Sequence, residues 1–464
     1  MKRRLFLPFW AGLLAACGSL DPANMPRIDR IEPQAGVPGV LVTIHGVNFG
    51  DQATGQTVQF QGAAAVPQSW SDSRIVVPVP SDAVSGRISI QADVFTVRSP
   101  TFTVFDGSSK WVRAGAGYGQ TCALQEDGSA WCWGRHVDAL RRNSDSGESP
   151  IVPARIGADR SWRAVFTGGD HASHSGHTCL LSIDDELWCW GYNRFGQLGN
   201  GEETNRSTMD RVAGRWQAAS AGTLHTCGIQ TDASLWCWGN ASEHRLGTGT
   251  DEGYATEPQP VGAGKTWRAV SAGAAHTCAI DHNDTLSCWG ANGHGQLGTG
   301  ESGPAGVYPT AVSSDTGWSA VSAGAAHTCG VRKDGTLWCW GRSLLEDSRN
   351  IGVPSSAQPE PLGAEHQWVT VSVGRLHACA LNEEGELWCW GANPDGRLGV
   401  HGHETHLPPT RLAGEQWTSV TVGDSHTCAR KAEGTLWCWG GNWVGQLGDR
   451  TREPRPLPVR VTGG

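Results

Sequence analysis

The sequence predicts an all-β chain in which a small antiparallel sandwich precedes a seven-bladed β-propeller. Three observations carry that expectation. A block with a cysteine pair inside a tryptophan-rich hairpin recurs seven times at a near-constant interval. Glycine is abundant, 63 residues beside 24 prolines, and no amphipathic helical pattern of useful length appears, which favours short strands joined by turns. The stretch ahead of the repeats, residues 28–105, contains no cysteine and one tryptophan, yet alternates apolar and polar residues in short runs.

The repeated block reads Trp-x-x-Val, a glycine, His-Thr-Cys, a turn, then Leu-Trp-Cys-Trp-Gly, as in "WSAVSAGAAHTCGVRKDGTLWCWG" (318–341). Its first cysteine falls at 122, 179, 227, 278, 329, 379 and 428. Most copies run into an exit loop such as "NRFGQLG" (193–199) or "NWVGQLG" (442–448). Departures are local. Copy one has Gln120 in place of the histidine and exits through "GRHVDALRRNS", copy four has Ser287 in place of a tryptophan, and copy five exits through "GRSLLEDSRNIG". A unit of this length built from several short strands is the signature of a propeller. Over residues 108–464 these landmarks resemble the RCC1 (regulator of chromosome condensation) repeat, which implies a seven-bladed ring. In the leading stretch, "IEPQAGVPG" with Gly36, Gly39, Gly46 and Phe49 resembles the IPT/TIG domain. That resemblance implies an immunoglobulin-like sandwich serving as spacer or binding module over residues 28–105.

Within each copy the two cysteines flank a turn such as "RKDG", so they occupy the two arms of one hairpin. Directly opposed residues of an antiparallel pair lie close enough for a disulfide. The expected bridges are Cys122–Cys132, Cys179–Cys189, Cys227–Cys237, Cys278–Cys288, Cys329–Cys339, Cys379–Cys389 and Cys428–Cys438. Zinc is the competing reading, but one pair supplies two thiolates where a structural zinc needs four ligands. In "LWCWG" the two tryptophans share one strand face and the cysteine takes the other. One blade's tryptophans are therefore expected to cover the disulfide side of its neighbour. The histidine before Thr-Cys shares the first cysteine's face and is expected inside, holding a neighbouring loop's backbone. Loop histidines at 171–177 and 401–406 have spacings that suit a divalent metal, but such residues ordinarily stay solvated, and neither a metal nor a cofactor is assigned.

The first seventeen residues, "MKRRLFLPFWAGLLAAC", combine a basic start with an apolar run ending in Leu-Ala-Ala-Cys. The ending looks like a bacterial lipobox, which implies cleavage before Cys17 and its diacylation; residues 18–27 read as a linker. Acyl chains on one residue anchor stably when there are two or more. The chain is thus expected to be exported, into a compartment where disulfides persist, and held at the outer membrane or cell surface. Its net charge of −9, without a basic cluster beyond the extreme N-terminus, argues against nucleic acid as a partner. No phosphate loop, nucleophile elbow or metalloprotease motif is present, and no catalytic residue or enzymatic activity is assigned. The family's namesake is a nuclear guanine-nucleotide exchange factor, a role an exported chain is not expected to share. The expected function is a protein-binding or scaffold module of the cell envelope, its recognition carried by loops 135–150, 171–176 and 341–353. A purely structural stalk and a carbohydrate-active enzyme working at the propeller funnel are the alternatives.

Overall fold

A computed structural model describes residues 25–461 except 33–34, 37, 51–56, 93–94, 105–109, 136–149, 170–175, 315, 345–354, 402–404 and 415. The signal segment, Cys17 and most of the three recognition loops lie outside the described residues, as do His171, His174 and His403. The chain divides into two compact units, Met1–Val104 and Phe105–Gly464.

In the first unit, alternation of apolar residues places one face of each strand inside. Leu41–Val47 buries Val42 and Ile44 while their neighbours face outward. Two sheets result, one of Arg27–Glu32, Leu41–Val47, Arg74–Pro78 and Ser69–Ser71, the other of five strands around Gly86–Ala92 and Phe95–Val104. Their inner faces share a core of Ile31, Ile75, Val77, Ile88 and Ile90, with Phe60 and Phe102 edge to face at 5.1 Å. Gly46 has to be glycine: a Cβ there would lie 2.0 Å from the Arg27 carbonyl and 2.3 Å from the Phe49 ring.

The second unit is seven antiparallel four-stranded sheets, each made from one uninterrupted stretch of chain. The first blade comprises Trp111–Ala116, Gln120–Gln125, Ala130–Gly134 and Ala154–Ile156; the last comprises Trp417–Val422, His426–Lys431, Leu436–Gly440 and Arg455–Arg460. The C-terminal strand therefore completes its own blade. The ring closes through side chains and backbone, with the Ala116 N–H on Thr421 Oγ1 at 3.1 Å and the Trp111 N–H on the Gly434 carbonyl at 2.9 Å.

The paired cysteines oppose each other across the central hairpin of every blade, Cys227 against Cys237 for example. All seven pairs are bonded, with Cα atoms 4.0 to 4.1 Å apart. On the far side of each bridge lie the next blade's tryptophans, so that Trp267 and Trp289 cover Cys227–Cys237, and Trp318 and Trp340 cover Cys278–Cys288. This contact accounts for the tryptophan content: all but Trp10, Trp70 and Trp443 of the 23 occupy three repeat positions. Burying so large and stiff a ring at every junction contributes a few kcal/mol each by area.

Three further bonds recur between neighbouring blades. The histidine Nε2–H donates to the next blade's threonine hydroxyl, whose own proton goes to a carbonyl: His177–Thr226, His225–Thr277, His276–Thr328, His377–Thr427 and His426–Thr121, all at 2.7 to 2.9 Å. That threonine hydroxyl donates to the exit-loop carbonyl of the preceding blade, as Thr226 does to Gln197 at 2.7 Å, and the Trp238 indole N–H joins it on the same oxygen at 2.9 Å. The imidazole thus reaches the loop backbone through a hydroxyl, one group further away than the sequence suggested. Exit loops are pinned in turn by an asparagine, Asn193 accepting the Leu198 N–H at 2.9 Å. In blade one Gln120 takes over the histidine's task and accepts from Thr178 at 2.9 Å. Finally, seven glycines meet head to tail around the axis. A Cβ on Gly273 would lie 2.4 Å from the Gly324 carbonyl, and one on Gly168 would lie 2.2 Å from that of Gly222.

Burial holds these histidines uncharged, with His177 and His276 down at about 4 and His327 and His426 at about 3. The unfolded chain takes up protons below about pH 6.5 while the native chain does not, so stability is full above that value and falls as pH drops toward 4. Each histidine contributes at most about 1.4 kcal/mol per pH unit in that window. His225→Gln, copying blade one, is expected to leave the melting temperature at pH 7.5 within a few degrees and to flatten its fall between pH 6.5 and 4.5. An unchanged pH slope would dissociate the acid sensitivity from this ring. Gly273→Ala, by contrast, drives a methyl into backbone, and thermal melting is expected to show a loss of several kcal/mol, well above the roughly 1 kcal/mol typical of a point substitution.

A candidate binding face and its relatives

Strand order fixes which loops share a side of the ring. In each blade the turn after the innermost strand and the exit loop after the third strand emerge together, tied by backbone bonds such as Asn240 N–H to the Leu224 carbonyl and Ala392 N–H to the Leu376 carbonyl. The central hairpin turns and the connections to the next blade emerge on the opposite side. Those turns are uniform, and hairpin-side charges pair among themselves, Arg163 with Asp185 at 2.7 Å and Arg268 with Asp284 at 2.9 Å.

The strand ends from which the three divergent loops depart all lie on the first side. Exit loop 135–150 follows the strand ending at Gly134, the insertion at 171–176 follows the innermost strand of blade two, and 341–353 follows the third strand of blade five. Sequence reasoning named these loops individually, but their common side becomes visible only once strand order is known. The same side carries Trp443, 54% exposed and laid over Gly441, and Leu376. An exposed tryptophan on a loop is the kind of anchor that protein interfaces concentrate on. Sequence reasoning passed over Trp443; the signal available was that it lies outside the three repeat positions that explain the others.

At the axis the glycine ring leaves a narrow channel of about 100 Å³, lined also by Thr167, Thr223, Arg375 and Asp424. Asp424 is the one carboxylate that lines it among the described residues. Glycoside hydrolysis ordinarily uses two, and the arrangement supplies no such pair. Arg245 and Arg397 donate to the carbonyls of Ala274 and Asp424, two residues of the channel lining, at 3.0 Å, and burial lowers the Arg245 pKa to about 10. Among the described residues no cluster of three histidine, cysteine or acidic side chains is placed to hold a metal.

Residues 26–104 match the IPT/TIG domain family. The Regulator of chromosome condensation (RCC1) repeat matches at 184–229, 232–280 and 384–430 in one form, and at 267–296, 318–344, 368–397 and 417–446 in another. Among relatives, the Ultraviolet-B receptor UVR8 of Arabidopsis thaliana is 28% identical over 57% of this chain and 58% of its own length. The Regulator of chromosome condensation of Mus musculus is 29% identical over 50% of this chain and 60% of its own. The chain therefore spans somewhat more than half the length of these relatives. Two solved structures share the fold: human WBSCR16, with a TM-score of 0.60 and 21% identity over 69% of this chain and 87% of its own, and Prp20p of Saccharomyces cerevisiae, with 0.59 and 18% over 72% and 85%. Sequence match, repeat register and fold agree that this chain joins an IPT/TIG domain to a seven-bladed β-propeller of RCC1 repeats.

Proposed function

We propose that the protein is an exported scaffold, anchored by lipid on Cys17 at the outer membrane or cell surface, whose propeller captures a protein partner on its loop-bearing side. The observation that carries the reading is that the strand ends leading into the three divergent loops, and exposed Trp443, share one side of the ring, while the hairpin turns of the other side are uniform. A rigid frame with variable loops on one side is a recognition platform. Prp20p, which shares this fold, has binding properties toward Gsp1p and histones, a precedent for a protein partner. Seven disulfides support an oxidising compartment, where bridges of this kind persist. Nucleotide exchange and enzymatic turnover form no part of the proposal.

Cross-linking on intact cells followed by mass spectrometry is the test. Trp443→Ala is expected to cut recovery of the cross-linked partner by about tenfold, the scale of a moderate interface anchor, with a melting temperature unchanged within a few degrees. Cys17→Ser is expected to move the chain from the detergent phase to the aqueous phase. A partner captured equally well by the Trp443→Ala variant would overturn the assignment of this side, and a Cys17→Ser chain still in the detergent phase would overturn the lipid anchor.

A further inference from the structure

Five of the seven junctions pair a histidine with the next blade's threonine, blade one substitutes Gln120 for the histidine, and the junction between blades five and six has no such pair. Where the other blades offer a threonine to the preceding histidine or glutamine, blade six has Ala378, and His327 Nε2 has no partner although the residue is 4% exposed. The exit loops of blades two, three, four and six bury Leu198, Leu246, Leu297 and Leu398 against the next blade, and that of blade seven buries Leu447. Blade five has another exit. Its described part, Arg342, Ser343 and Leu344, borders a cavity of about 100 Å³, whose walls include His327, Trp390, Pro361 and both sulfurs' residues, Cys329 and Cys339.

One consequence is visible in the burial of the bridges. Every other cysteine of the seven pairs is at most 1% exposed, but Cys339 is only partly buried. Exchange requires a thiolate to reach a sulfur, so access decides which bridge reacts in the folded chain. Six bridges are buried, both cysteines at most 1% exposed; the seventh opens onto this cavity.

We infer that Cys339–Cys329 is a reducible site in the native propeller, attacked at Cys339 by low-molecular-weight thiols through the cavity between blades five and six. The thiolate sulfur bonds to Cys339 Sγ as the bridge breaks, and the electron pair leaves on Cys329 Sγ, which takes a proton from water. A second thiolate attacks the small-molecule sulfur of this mixed disulfide. Cys339 departs as thiolate and is protonated, and the reagent leaves oxidised as its own disulfide. Two thiols are oxidised for one protein bridge reduced. The reaction unpins one hairpin at the junction that already lacks a histidine–threonine bond, leaving the other six bridges intact.

The experiment exposes the folded, full chain to graded dithiothreitol, traps new thiols with iodoacetamide and maps them by mass spectrometry. Cys329 and Cys339 are expected to be alkylated about tenfold faster than any other pair, in keeping with access control of exchange. Leu344→Trp, which narrows the cavity, is expected to slow that labelling while leaving the remaining pairs unchanged, and Cys329→Ser with Cys339→Ser is expected to abolish the fast-reacting pair. Another pair leading, all seven yielding together, or a Leu344→Trp chain that reacts as fast as the parent would each overturn the inference.

Discussion

Seven sheets close into so narrow a ring because their innermost strands meet backbone to backbone. At every junction the residue at the point of contact is glycine, and a side chain there would lie within 2.2 to 3.0 Å of the neighbouring blade. Close-packed interiors have no slack to absorb a displacement of that size. The N–H of the following residue then donates to the neighbour's glycine carbonyl, Thr223 to Gly273 at 3.1 Å and Ala274 to Gly324 at 3.0 Å, so the steric constraint also positions a polar contact. The outer layers inherit their spacing from this inner circle. Moving outward, the imidazole–hydroxyl pair, the disulfide under its tryptophans and the exit-loop leucine each fill a gap whose width the glycines set.

Two kinds of restraint divide the work. Bridges act within a blade and limit the freedom of one hairpin, while tryptophans, histidines and exit loops act between blades. Ten residues separate the members of each cysteine pair, so each loop is short and its stabilisation modest, about 3 kcal/mol in the chain-entropy account. Cohesion of the ring depends on the second kind, and above all on apolar area. Nine tryptophans are fully buried, and the second indole of the Trp-Cys-Trp run also satisfies its N–H on an exit-loop carbonyl at several junctions, Trp133 on Gln446 and Trp340 on Gln296 at 2.9 Å.

Much of this was legible in the sequence because the repeat samples one solution seven times. Period, strand number, facing of the cysteines against the tryptophans, and the sandwich ahead of them follow from local patterns of two and from turn residues. What escaped reading lies across blades. The partner of His225 is 52 residues away, and nothing near His225 in the chain identifies Thr277 as its mate. Likewise the defect at Ala378 is one missing hydroxyl among six otherwise matching His-Thr-Cys or Gln-Thr-Cys runs; it gains meaning only when blade six is stacked on blade five. The shared side of the three divergent loops was hidden for a related reason, since it depends on strand order, which a repeat period does not report.

Each blade is a single uninterrupted length of chain, and the last blade meets the first through the same pairs used elsewhere, His426 with Thr121 and the Gln446 carbonyl with Thr121 and Trp133. Propellers that borrow a strand from the opposite terminus lock their circle with the backbone hydrogen bonds of one mixed blade. Here the closing step uses the contacts of an ordinary blade boundary, so the ring shuts with the same chemistry that joins most of its neighbours.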